Sequence, residues 1–284
     1  MTRRVTARDI ERKAAGARPS RSAGPALPAS EPLRMLARRG LRPRLTRPDV
    51  PFPATLEAER ADRLAALLTH YAFRLFLRGA IQHPEGFAAP EATSYVDARK
   101  AREFAEALVA LRLATALGGD RYRLRTTARS FGGTLEWFVG RALERTLGFD
   151  VATGVKFHAP GVGGDLDIVA AAEGRLIYLE LKSSPPKHLS DTEIDAFFDR
   201  VRVLRPDLTL FVMDTALRLS DKVVPMLVAG LKRRREGSPA PRRLERELWA
   251  LTPCLYAVNA RPDLVANIRS AIARGLLGLS PLYW

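Results

Sequence analysis

Two neighbouring segments place charged groups where a buried strand would carry apolar ones. The first reads Asp165-Leu166-Asp167-Ile168-Val169, the second Leu176-Ile177-Tyr178-Leu179-Glu180-Leu181-Lys182-Ser183. Strand alternation would send Leu166 and Ile168 to one face and both aspartates to the other. It would likewise oppose Ile177, Leu179 and Leu181 to Tyr178, Glu180 and Lys182. A carboxylate and an ammonium on an apolar strand are costly to bury unless paired or bound to a metal. Glu173-Gly174-Arg175 can turn the chain between the two strands, bringing Asp167 near Glu180. Hard oxygen donors on adjacent strands suit Mg²⁺, which takes carboxylates, water and substrate phosphate. A lysine two residues from such a ligand can orient or deprotonate a bound water, or offset charge developing at phosphorus. The [D/E]-x-K spacing decides little by itself, since it recurs at Glu11-Arg12-Lys13 without a surrounding apolar strand. Two plainer readings stay open: a structural Glu180–Lys182 ion pair, and Asp165 as a turn residue after Gly163-Gly164.

Residues 128–284 read as helix, three strands, helix, strand, a helical and basic stretch, strand and helix. That order implies an α/β fold, a mixed sheet with flanking helices. A helix starts at Gly133-Thr134, buries Leu135, Phe138, Val139, Ala142, Leu143 and Leu147, and stops at Gly148. Strands are expected at 151–157, 165–171 and 176–183, a helix at 190–204, and strands at 208–213 and 254–258. Asn259 is a candidate cap for a last helix over 262–274.

This arrangement resembles the PD-(D/E)XK, or restriction-endonuclease-like, nuclease superfamily, whose core runs α-β-β-β-α-β. The family has an acid on the first helix, an Asp on the second strand and (D/E)-x-K on the third. The matching positions here are Glu136 in Gly133-Thr134-Leu135-Glu136, then Asp167, then Glu180-Leu181-Lys182, within a stretch from Gly132 to Met213. Leu166 stands where the family name has Pro, and the helix after Lys182 lacks the Gln-x-x-x-Tyr signature of the RecB-like branch. The resemblance implies metal-dependent phosphodiester hydrolysis of DNA, leaving 5′-phosphate and 3′-hydroxyl ends. Asp167, Glu180 and the Leu181 carbonyl would hold Mg²⁺ (or Mn²⁺), Glu136 would support the metal shell, and Lys182 would act on the attacking water. Glu136 also has a plainer reading as an ordinary acid near a helix N-terminus. Many enzymes of the family dimerise to cut two strands, so a homodimer is an expectation of the resemblance alone.

Residues 55–127 read as a small α+β module. A long amphipathic helix is expected over 56–81, with Leu64, Leu67, Leu68, Tyr71, Leu75 and Phe76 on one face. A short helix follows near 90–95, then a helix capped by Asp97, and Gly118-Gly119-Asp120 marks a hairpin. The succession resembles winged-helix DNA-binding domains. The resemblance implies a recognition helix presenting Arg99, Lys100 and Arg102, and a wing presenting Arg121, Arg123 and Arg125 to DNA. A helical domain with an ordinary solvated basic face is the alternative.

The 284 residues carry a net charge of +15, which favours a polyanionic partner, nucleic acid before membrane. Residues 1–50 hold 13 Arg and Lys against 4 acids, and residues 1–54 include eight prolines with no sustained apolar period. They are expected to be a largely disordered basic tail with a transient helix near 33–39. Lys232-Arg233-Arg234-Arg235 reads as a solvated, mobile basic run, and Lys187 and His188 as either phosphate contacts or an exposed loop pair. His70, His83 and His158 lack ligand-like spacing, and the single Cys254 rules out an internal disulfide framework and a cysteine zinc cage. Without a spanning apolar run or a signal-like N-terminus, a cytoplasmic location is the default expectation. Two rivals to a DNA nuclease remain: a non-catalytic DNA-binding protein on a nuclease-like scaffold, and an RNA-directed nuclease, since charge does not sense the 2′-hydroxyl.

Overall fold

The computed structural model describes residues 30–53, 55–159, 161–235 and 240–279. Their main feature is an eight-stranded mixed sheet in the order β1-β5-β6-β7-β8-β11-β10-β9. Its strands are β1 (Arg44–Leu45), β5 (Asp150–Lys156), β6 (Asp165–Ala172), β7 (Arg175–Lys182), β8 (Leu208–Met213), β9 (Arg242–Glu245), β10 (Leu248–Thr252) and β11 (Leu255–Asn259). β7, β8 and β11 are parallel neighbours; the other pairings are antiparallel. The two apolar faces of the sheet bury different helices. Ile177, Leu179, Leu210 and Val258 pack with α5 (Gly132–Leu147) and α8 (Leu264–Gly278). Tyr178, Phe211 and Ala257 pack with α1 (Glu31–Arg38), α6 (Asp191–Leu204) and α7 (Val223–Arg233). This is the expected mixed α/β sheet with flanking helices. The short strands β9 and β10 were not anticipated from the sequence: Arg242–Glu245 carries almost no apolar residue, and Leu248–Thr252 is short and follows a charged run.

Residues 55–127 form α2 (Ala58–Thr69), α3 (Tyr71–Ile81), α4 (Ala98–Ala110) and a three-stranded sheet in the order β2-β4-β3. β2 is Phe87–Ala88, β3 Ala114–Gly118 and β4 Arg121–Leu124. Asp97 caps α4, accepting from the Lys100 N–H at 2.8 Å, and the Gly118-Gly119-Asp120 hairpin forms as read. The expected single helix over 56–81 is instead two helices meeting at 107°. His70 adopts an extended conformation, and Arg74 Nη1 donates to the Leu68 and Thr69 carbonyls at 2.7 and 3.0 Å. A buried guanidinium thus satisfies the orphan carbonyls that end α2, which the continuous apolar period cannot reveal. The short helix expected near 90–95 is a 3₁₀ turn over Ala89–Glu91.

Two basic segments depart from expectation. Within the described part of the expected tail, residues 30–53 are ordered; residues 1–29 lie outside the described residues. The α1 N-terminus is held by Asp150, whose Oδ2 accepts the Glu31 N–H at 2.6 Å. Leu33, Leu36, Val50 and Phe52 are buried. Four well-spaced apolar residues suffice to dock this segment on a core it does not itself build. Leu36→Ala should therefore cost about 2–5 kcal/mol in chemical denaturation, as buried leucine truncations do; a freely moving tether would leave stability unchanged. The second departure is Arg233 and Arg234, which close α7 by bonding Asp195 on α6 at 3.1 and 2.5 Å. Lys232 and Arg235 of that run are exposed, with no ion pair among the described residues. At the other end, Asp263, not Asn259, caps α8; the Asn259 amide instead donates to the Leu217 carbonyl at 2.7 Å.

Candidate active site

β6 and β7 pair from Ala172↔Arg175 as far as Ile168↔Leu179 and then part. At the parting, Asp167 Oδ2 accepts the Leu181 N–H at 2.7 Å, replacing a lost ladder bond with a side chain. Leu181 N–H therefore points toward β6, while the Lys182 carbonyl points the other way and accepts the Asp214 N–H at 2.8 Å. Because N–H and C=O of one strand residue share a side, the Leu181 carbonyl also faces the notch beside Asp167. Asp167 Oδ1 has no hydrogen-bond partner among the described residues.

Alternation holds along β7: Glu180 and Lys182 share the α6 face with Tyr178. It fails in β6. Leu166 packs on the α6 side and Ile168 on the α5 side, so they do not share a face. The cause lies in β5, where Gly154 sits opposite this point with φ +58°. Its carbonyl accepts both the N–H and the hydroxyl of Thr46, at 3.0 and 2.8 Å. A Cβ at residue 154 would come within 2.9 Å of Thr46 Oγ1, so glycine is needed there for conformation and for space. The kink leaves Asp165 opposite Lys156, with Nζ 3.5 Å from Oδ2. Asp165 and Glu136 both line a cleft of about 550 Å³ between residues 45–49, the start of α5 and β5.

Glu180 is a buried carboxylate with every oxygen engaged. Oε1 accepts from Arg200 Nη2 at 2.7 Å and from Lys182 Nζ at 3.0 Å, and Oε2 accepts the Tyr178 hydroxyl. Arg200 Nε also donates to the Tyr178 oxygen at 3.0 Å. Lys182 is shared with Glu193 of α6 at 3.4 Å. Sequence reasoning missed Arg200; its only signal was an arginine on the apolar side of an amphipathic helix. Burial opposes the charge on Lys182, but Glu180, Asp167 and Glu193 outweigh it and raise its pKa.

Asp167 and Glu136 shift upward. Loss of water, followed by repulsion from Glu180 and Glu136, pushes Asp167 well above the usual range. Burial first, then Asp165 and Glu180, pushes Glu136 up to about 7. A raised carboxylate destabilises the fold above its folded pKa, and the penalty is relieved as pH falls toward 4.5. Glu136→Gln should therefore raise the melting temperature of metal-free protein at pH 8, by up to about 3 kcal/mol in stability. The gain should fall to about a quarter of that near pH 5; an equal gain at both pH values would assign it to helix propensity instead.

Thus Glu136, Asp167, Glu180 and Lys182 lie within electrostatic reach of one another. Among the described residues, no three Asp, Glu, His or Cys side chains converge on one point. Donors at the notch that could contribute to holding a hard cation are Asp167 Oδ1 and the Leu181 carbonyl, while Glu136 and the remaining lone pair of Glu180 Oε2 do not converge with Asp167 on one point. Such a set leaves much of a Mg²⁺ shell to water and substrate phosphate, which is how that ion is ordinarily held. The expected nucleic-acid residues lie elsewhere. Arg121, Arg123 and Arg125 are exposed and alternate with buried Tyr122 and Leu124. Arg99 and Lys100 pair with Glu103 at 3.6 and 2.9 Å, and Arg102 with Asp120 at 2.7 Å. Lys187 supplies its carbonyl to Lys222 Nζ at 2.9 Å.

No family model matches the chain, and no curated protein matches it in sequence. Among solved structures it is similar to protein VC1899 from Vibrio cholerae, with a TM-score of 0.51 and 13% identity, over 87% of this chain and 61% of that one. Can2 from Sulfobacillus thermosulfidooxidans, solved with cyclic tetra-adenylate, aligns with a TM-score of 0.48 and 16% identity, over 86% of this chain and 59% of its own. The chain therefore spans less than two thirds of either protein's length. The VC1899 likeness is one of fold alone. Among the described residues, no single helix is long and apolar enough to cross a membrane.

Proposed function

We propose that this protein is a divalent-metal-dependent nuclease of the PD-(D/E)XK type, acting on DNA. The carrying observation is the notch between β6 and β7, where Asp167 bonds the Leu181 N–H and keeps one oxygen free. Asp167, the Leu181 carbonyl, Glu136 and Glu180 would hold Mg²⁺ or Mn²⁺. A bound ion would polarise the scissile phosphate and make a water acidic enough to attack at neutral pH. Lys182 Nζ, held 3.0 Å from Glu180 and 3.4 Å from Glu193, would orient the attacking water and offset the charge that grows on phosphorus. In this reading residues 55–127 are a winged-helix module, with α4 as recognition helix and Arg121, Arg123 and Arg125 on its wing. Nicking of a plasmid in Mg²⁺ by the wild type, and none by Asp167→Asn, tests the assignment.

A second reading is supported by the saturation of Glu180: a nuclease-like scaffold that binds nucleic acid without cutting it. Binding without Mg²⁺- or Mn²⁺-dependent cleavage of supercoiled, single-stranded or branched DNA, or of RNA, would select it.

A further inference from the structure

We infer that the ordered arm 42–47 is a phosphate-binding lip of the carboxylate cleft, holding the backbone of a nucleic-acid strand beside the site. The arm is clamped on both sides of Arg47. Thr46 bonds the Gly154 carbonyl, and Asp49 accepts the Arg129 N–H at 3.1 Å. Between these clamps, Arg47 lines the cleft that also contains Glu136 and Asp165. Arg44 sits opposite Lys156 in the β1–β5 register, and Lys156 sits opposite Asp165 in β5–β6, so one row crosses from the sheet edge to the acids.

What marks this arm is unpaired charge next to carboxylates: Arg121 and Arg123 on β4 also lack ion pairs among the described residues, but Arg47 shares a cleft with Glu136 and Asp165. Around the rest of the fold, basic side chains are commonly neutralised locally: Arg141 pairs with Asp62, Arg234 with Asp195 and Asp199, and Arg102 with Asp120. Arg42, Arg44 and Arg47 are exposed, and none makes an ion pair among the described residues. Three uncompensated guanidiniums on a fixed backbone beside the half-buried Glu136 and the exposed Asp165 set up a gradient. Flanking phosphates would be drawn to the lip while the acids keep the scissile position for a cation. The inference deepens the nuclease reading, which supplies the scissile position, but its binding prediction stands without cleavage. Phosphate contacts carry no base information, so the ligand class is a phosphodiester backbone of DNA or RNA.

The test compares Arg44→Ala/Arg47→Ala with Arg242→Ala/Arg246→Ala, which removes the same charge at the opposite edge of the sheet. Full-length proteins are titrated in EDTA against short fluorescent single-stranded DNA, single-stranded RNA and duplex, across a salt series. Losing the lip should weaken binding roughly tenfold and reduce the slope of log K against log salt by about 1 for each phosphate that is no longer neutralised. DNA and RNA should respond alike, and the melting temperature should not move because both side chains are exposed. Wild-type affinity and slope in the lip variant, or an equal loss in the opposite-edge variant, would overturn the inference, as would a loss confined to DNA or to RNA. If the wild type fails to cut while the lip variant still loses affinity, the hydrolytic reading falls and the lip stands.

Discussion

Asp167→Asn is expected to lower Mg²⁺-dependent cleavage by more than about 100-fold, since even residues outside a metal's own shell cost 10- to 100-fold when changed. The substitution keeps the side-chain volume and an oxygen for the Leu181 N–H. It removes the charge that a cation at the notch would need. Folding should not suffer: burial and the repulsion of Glu180 and Glu136 already hold the Asp167 carboxyl well above the usual range. The neutral amide relieves both, so the melting temperature of metal-free protein should hold or rise. Mg²⁺ should stabilise the wild type more than the variant, because only binding to the folded state shifts unfolding. Equal nicking by the two proteins, purified side by side, would reveal a contaminating nuclease and sink the site assignment. Lys182→Ala separates roles within the site: it should keep Mg²⁺-induced stabilisation and lose turnover, because the lysine bonds Glu180 and Glu193 and is no ligand.

The β7 half of this site was legible because its cause is local. Period-2 alternation along Arg175–Lys182 alone puts Tyr178, Glu180 and Lys182 on one face, and the structure keeps that face intact. The β6 half was not. Asp165 and Asp167 were expected to share a face, but the glycine that breaks the alternation is Gly154, on the neighbouring strand, and its conformation is reinforced by Thr46 from the arm. No pattern within residues 165–169 encodes an event so distant in sequence. The same limit explains Arg200 and Arg74, polar residues on helices whose partners lie 20 and 140 positions away. The arm fails for a different reason. Its composition resembles that of chains that cannot build a core, yet Leu33, Leu36, Val50 and Phe52 dock on a core built by other segments. Composition measures what a segment can bury by itself, not what it can borrow.

The largest loss of stability is expected from Asp214→Ala. This carboxylate, fully buried just after β8, accepts from Arg74 Nε at 3.0 Å and from Arg78 Nη2 at 3.2 Å. Both arginines belong to α3, so Asp214 ties residues 55–127 to the sheet. Its own N–H bonds the Lys182 carbonyl at 2.8 Å, which fixes the end of β7 to the same point. Arg74 is buried too, with its guanidinium 5.4 Å from the Tyr71 ring centroid and 5.9 Å from that of Phe138. Removing the acid leaves one cation wholly buried and a second mostly so, with their charges unopposed. Breaking a buried ion pair this way costs about 3–5 kcal/mol. The desolvation that makes the single change so costly predicts a different result for a matched pair. Replacing the fully buried pair with apolar groups, as in Arg74→Met/Asp214→Leu, should recover only part of the loss, because Arg78 then remains without its acid and the Leu68 and Thr69 carbonyls lose their donor. Chemical denaturation of Arg74→Met, Asp214→Leu and the double gives the coupling energy directly. Additive losses would mean that the two side chains do not interact in solution, and that α3 is held to the sheet by apolar packing alone.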